Sequence, residues 1–258
     1  MIVKVAREEA LARRHRFVTP TGVGGFVNTY IGTNRLELKA QGLPADAAPA
    51  GPMANLVEQD PLSTVQPHFH GVDQFQVFVG GSGKIGIHGV EPVTVHFAGP
   101  HSPYGPIVAG PEGVQYLTLR PGWDPGAQWM PQSAPQLRSL PDRKHVAFTS
   151  GPLELCKDPA LLTGASSTVV MAPESPGAAG AWLRRAGPGV SLQADAAGSQ
   201  GQFWYVLAGG LQVAGGALGA GGCIYLGADE PATEFRAGPG GVEILQLQFP
   251  RRERQQVD

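Results

Sequence analysis

One constant offset runs through this chain. Gln74 and Gln202 lie 128 positions apart, and the same shift carries Phe75 onto Phe203 and Gly81 onto Gly209 within DQFQVFVGG and GQFWYVLAGG. It also pairs Gly99 with Gly227 and Pro103 with Pro231, then lays GVQYLTL (113–119) over GVEILQL (241–247). Three separated segments in one gapless register indicate a duplicated unit, so the fold of one half has to be repeated by the other. The expected halves are 1–135 and 136–258.

The repeated unit reads as β structure. Glycine (37) and proline (24) make up about a quarter of the 258 residues, a level that in a polar chain signals disorder. Here they punctuate short apolar runs, as turn residues do between strands. Strands are expected at 25–31, 35–39, 74–79, 84–88, 93–97 and 114–120, and again at 167–171, 202–207, 211–213, 223–226 and 242–249. REEALARRH (7–15) has the spacing of a short amphipathic helix. The proline-rich stretch 121–143, with Trp123 and Trp129, reads as an ordered wrap or linker between the halves, and RRERQQVD (251–258) as a solvated tail. GGSGKIG (80–86) is not a phosphate loop: Phe78 stands where the first glycine belongs and Ile85 where Ser or Thr belongs. It reads as a turn between strands.

Charge excludes two classes of partner. With 16% charged residues and a net charge of −2, the chain has no basic surplus for nucleic acid or an anionic membrane. The first residues contain no apolar run long enough for a signal peptide or a membrane span. Cys156 and Cys223 are too few and too far apart for a disulfide framework. A cytoplasmic protein with reduced thiols, a small-molecule substrate and a possible homodimeric assembly is the expectation.

Chemistry concentrates at PHFHGVDQFQVFVGG (67–81). On a strand, residues two apart face the same side, so His68 and His70 project together at a spacing that suits one metal ion. The next strand returns beside them and brings the Gln74 amide oxygen toward the same point. Downstream, AGPHSPYGPI (98–107) carries His101 and Tyr104. His88 and His96 read as ordinary strand residues, and His15 and His145, among arginines and lysines, as solvent-facing.

These residues resemble the motifs of the cupin superfamily. Its first motif is a His-x-His pair, a Glu three or four residues on, and a Gly after six more. This chain has His68-Phe69-His70, then Gln74, then Gly81. Phe97-Ala98-Gly99-Pro100-His101 resembles the second motif, one residue short between Gly and His. The resemblance implies two jelly-roll barrels, a bicupin, and a divalent metal held by His68, His70, Gln74 and His101, with His96 or Tyr104 as alternatives for the last ligand. Gln74 departs from the family's Glu. A neutral amide is a poorer ligand, so Gln74 either binds weakly or only hydrogen-bonds a ligand. The second half has lost the set, because the offset carries His68 to Ala196, His70 to Gly198 and His101 to Asp229.

Imidazoles with open coordination positions suit Fe(II), with Zn, Ni or Mn as alternatives. The expected function is a metal-dependent, dioxygenase-like oxidoreductase on a small organic molecule, with Tyr104 orienting substrate or oxygen. A metal-dependent isomerase or lyase is the second expectation, and a non-catalytic binding or structural bicupin the third.

Overall fold

The computed structural model describes residues 1–44, 47–140, 144–196, 198, 200–213, 215–228 and 230–252. The chain forms two compact units, Ala10–Glu154 and Met1–Glu9 with Leu155–Asp258. Each is built on an antiparallel sheet. In the first unit the strands run in the order Ala147–Thr149, Thr94–Ala98, Gln74–Ile85, Ile107–Arg120, Met53–Gln59, Gly24–Ile31, Arg14–Val18. The second follows the same plan with Ile2–Val5, Cys223–Leu226, Gln202–Val213, Thr233–Gln248, Gly180–Ala186 and Ala165–Met171.

The register repeats as well as the order. Gln74 faces Ala98 and Gln76 faces His96; at the same offset Gln202 faces Leu226 and Trp204 faces Ile224. Gly81 and Gly209 occupy matching irregular steps in the two long strands, with φ of +66° and +68°. A Cβ at Gly81 would lie 2.2 Å from the Gly113 carbonyl oxygen, and one at Gly209 would lie 2.1 Å from that of Gly241. Both backbones are therefore closed to any side chain. Gly81→Ala and Gly209→Ala are each expected to cost about 2 kcal/mol, read from chemical denaturation midpoints. A loss at only one of the two would contradict the equivalence.

The unit boundary differs from the expected 135/136. The edge strand Thr94–Ala98 is covered by Ala147–Thr149, which holds residues beyond 135 in the first unit. Its counterpart Cys223–Leu226 is covered by Ile2–Val5, which ties the first residues to the second unit. Each edge is thus paired by a segment remote in sequence, which removes the exposed N–H and C=O groups of an open edge.

Several local expectations change. Residues Arg35–Ala40 form a helix rather than a strand, because Asn34 caps it: its side chain accepts from the Leu36 and Glu37 N–H groups while Glu37 bonds back to the Asn34 N–H. GGSGKIG lies mostly within the strand Gln74–Ile85, and the turn falls at Gly86 and Ile87 ahead of His88–Val90. The wrap 121–143 belongs to the first unit as far as it is described: Gln128–Trp129 pairs with His68–Phe69. Positions 141–143 and most of the expected tail, 253–258, lie outside the described residues. Both cysteines are free thiols. Among the described residues no helix is long and apolar enough to cross a membrane.

The two interiors are filled differently. Inward positions of the second unit carry Trp204, Val206, Ile224, Leu226 and Ile244, all 0% exposed and in one apolar cluster. The matching positions of the first carry Gln76, Phe78, His96, Ala98 and Tyr116. At these positions the first unit carries Gln76 and His96 where the second carries Trp204 and Ile224.

Candidate functional site

His68 and His70 flank Phe69, so strand alternation sends both imidazoles one way and the Phe69 ring the other. Both histidines are buried, and their ring centroids are 5.4 Å apart at 88°. The short strand is held on one side by Trp129 and on the other by Tyr104, whose backbone exchanges two hydrogen bonds with that of His68.

From His70 a chain of hydrogen bonds crosses the barrel. Its Nδ1–H donates to Asp124 Oδ1 at 2.6 Å. That bond fixes the tautomer and leaves Nε2 as an acceptor, which takes a hydrogen bond from Arg120 Nη2 at 3.1 Å. Arg120 Nε donates to Gln74 Oε1 at 2.8 Å, and Gln74 Nε2 donates to the Tyr104 hydroxyl at 2.7 Å. Asp124 also accepts from the Gly71 and Gly126 N–H groups. His68 Nδ1 bonds the Gln66 carbonyl at 2.8 Å, which leaves Nε2 as its acceptor.

Burial sets the protonation states. Burial, then the neighbouring His70 and the Arg120 charge, hold His68 at about 3 against the Gln66 carbonyl; burial and the Arg120 charge hold His70 at about 4 against Asp124. Burial pushes Asp124 up, but the His70 N–H, the Arg120 charge and the Gly126 N–H together hold it at about 2. The Tyr104 phenol is raised, chiefly by burial, and stays protonated. His96, buried beside Thr149, is depressed to about 4. At neutral pH the site therefore holds neutral imidazoles, one carboxylate and one guanidinium.

A pH dependence of stability follows. The folded histidines titrate below the ordinary 6.5, so as pH falls below that value the unfolded chain takes up protons first and stability declines toward pH 4, by up to about 1.4 kcal/mol per pH unit for each histidine. The Asp124 contribution is full above about pH 4 and is lost as pH falls through 2. The melting temperature is expected to drop between pH 7 and 5, and His96→Leu to flatten the drop. An unchanged melting temperature over that interval would contradict these environments.

Above the guanidinium lies a cavity of about 300 Å³, lined by His68, His70, Gln76, Tyr104, Arg120 and Trp129. Val57, Val65 and Met53 supply apolar wall.

The structure brings His68, His70 and Gln74 together but sets His101 apart from them. His101 is reached through a turn with φ +55°, donates its N–H to the His70 carbonyl and places its ring 5.8 Å from Phe69, on the far side of the strand from the cavity. The Gln74 oxygen and His70 Nε2, the atoms a metal would need, both accept from Arg120. His96 lines a different cavity, with His88 and His145. Among the described residues no three His, Cys, Asp or Glu side chains are grouped to hold an ion. The structure brings His68, His70 and Gln74 together with Arg120 and Asp124, with His101 apart from them, and with Arg120 bonded to His70 and Gln74 these residues do not fit a metal as they stand. Tyr104 lines the same cavity and accepts from Gln74.

Arg120 and Asp124 escaped the sequence reading. A signal for Arg120 was present: it is two residues from Thr118 and four from Tyr116 on one strand, so alternation places all three inward. Asp124, in the PGWDPG turn, had none beyond being a carboxylate near the site.

No known family profile matches the chain, and no curated protein matches it. Solved structures do. A candidate dioxygenase from Nostoc punctiforme superposes with a TM-score of 0.66 at 14% identity, over 97% of this chain and 83% of the other. An oxalate decarboxylase from Bacillus subtilis, studied for its Mn(II) centres, gives 0.56 at 12% identity over 97% and 78%. The oxalate decarboxylase of Lactobacillus farciminis in complex with formate gives 0.55 at 12% over 96% and 86%. At such identities the likeness is one of fold.

Proposed function

Given that the chain has the bicupin fold, we propose that its first barrel binds a small organic acid, with the carboxylate on Arg120 and the apolar body against Val57, Val65 and Trp129. One observation carries this reading. Arg120 is 8% exposed, lines the cavity, and makes its side-chain bonds to two neutral acceptors, His70 Nε2 and Gln74 Oε1. A buried cation is costly unless paired, and Asp124 reaches it only through the His70 ring. Of the five guanidinium N–H groups two are used, and a planar fork with N–H groups to spare suits a carboxylate. The formate held by one structural neighbour is an acid of the simplest kind.

Binding is favoured over proton-transfer chemistry. A general base works best with a pKa near the working pH, and His68 at about 3 is far below it. Titration calorimetry with small monocarboxylic acids and their matched primary amides tests the proposal. Acids are expected to bind about 10-fold or more tighter than their amides. Equal binding of the pairs, or no acid that binds, would end it.

A second reading is a metal-dependent, dioxygenase-like oxidoreductase using Fe or Mn. The folds of the candidate dioxygenase and the Mn(II) protein favour it, as do the adjacent imidazoles of His68 and His70. It requires Arg120 to leave both His70 and Gln74.

A further inference from the structure

We infer that the Arg120 guanidinium is a built-in replacement for a metal cation, and that Gln74 is the matching change that keeps its charge available. The inference rests on the Arg120 anchor of the proposed function, but not on which acid binds there. Three observations meet at one point. Arg120 Nη2 bonds the nitrogen that His70 would offer a metal, Nε2, at 3.1 Å. Arg120 Nε bonds the side-chain oxygen at position 74, at 2.8 Å. His70 is meanwhile locked in the metal-binding tautomer by Asp124, so the donor is prepared but serves a guanidinium.

The chemistry of position 74 then makes sense. A carboxylate there would form a fork-to-fork ion pair with Arg120 and cancel its charge. An amide oxygen orients the guanidinium without cancelling it, and the amide nitrogen passes the network on to Tyr104. A tethered cation also needs no third or fourth ligand, which agrees with His101 standing on the other side of the strand. The second unit keeps the amide, Gln202, but has Gln248 at the position matching Arg120. There Gln202 Oε1 accepts from Trp204 Nε1 and Gln246 Nε2 instead, and the cavity lined by Ala196, Gly198 and Gln248 has no guanidinium bonded to Gln202.

The exchange is reversible by design. Arg120→Ala combined with Gln74→Glu removes the resident cation and supplies two imidazoles and a carboxylate, a set that takes divalent transition metals. Cobalt(II) is the probe, followed by its visible absorption and by equilibrium dialysis at neutral pH. The wild-type chain is expected to show no cobalt uptake that depends on His68. The double variant is expected to bind about 100-fold tighter than wild type and to lose that gain when His68→Ala is added. One equivalent bound by wild type and abolished by His68→Ala would overturn the inference, as would a folded double variant with no gain. If circular dichroism shows the double variant unfolded, Arg120→Ala alone is titrated, with a gain of about tenfold expected and no gain counting against the inference. Acid binding that fails while wild type still refuses cobalt removes the ligand assignment alone; cobalt uptake by wild type removes the exchange.

Discussion

Arg120→Gln is expected to weaken organic-acid binding by about 10- to 100-fold, while the barrel stays folded. The range is that of one hydrogen-bonded charge interaction, about 1.5–3 kcal/mol. Glutamine retains hydrogen-bonding capacity but neither the charge nor the fork. Arg120→Lys should fall between the two, since it keeps the charge and loses the planar donors. The change should also reach His70, which Arg120 holds down electrostatically and Asp124 opposes. In Arg120→Gln the His70 ring is expected to titrate above its wild-type position of about 4, visible as a shifted imidazole resonance in a pH series. A binding loss without movement of the His70 titration would mean that Arg120 acts elsewhere than at the imidazole it touches.

The other large effect belongs to the second barrel. Trp204 is 0% exposed, stands 5.2 Å from the Phe235 ring centroid and donates its indole N–H to Gln202 Oε1. It occupies the place that Gln76 takes beside the cavity of the first barrel. Trp204→Ala is expected to destabilise the second unit by about 3–5 kcal/mol, through lost burial and the void left behind. Acid binding at Arg120 should persist wherever the variant remains folded, because no atom of Trp204 belongs to that cavity. Calorimetric unfolding with and without ligand separates the two readouts. A loss below about 1 kcal/mol would contradict a filled second barrel.

What could be read from the sequence was whatever is encoded by spacing. The duplication is one number applied to Gln74, Gly81 and the GVQYLTL strand, and the structure repeats it in pairing register. The inward aim of His68 and His70 follows from alternation, and the cupin resemblance followed from their distance to Gln74 and Gly81. Features set by remote pairing were not legible. Ile2–Val5 joins a sheet more than 200 residues away, and Asp124 meets His70 only because the proline-rich wrap folds back through Gln128–Trp129. The helix Arg35–Ala40 looked like a strand because its apolar alternation is brief, while its capping pair Asn34 and Glu37 carried the decisive information. The place of the His101 ring is likewise set by its backbone turn, which brings it to Phe69, and motif spacing does not encode that turn.

A crystal structure grown with Mn(II) or Co(II) and recorded at the metal's absorption edge tests the central claim most directly. The account predicts no anomalous peak between His68, His70 and Gln74, with the guanidinium of Arg120 still bonded to His70 Nε2 and Gln74 Oε1. A strong peak at that point, ligated by both imidazoles with Arg120 swung aside, would contradict it.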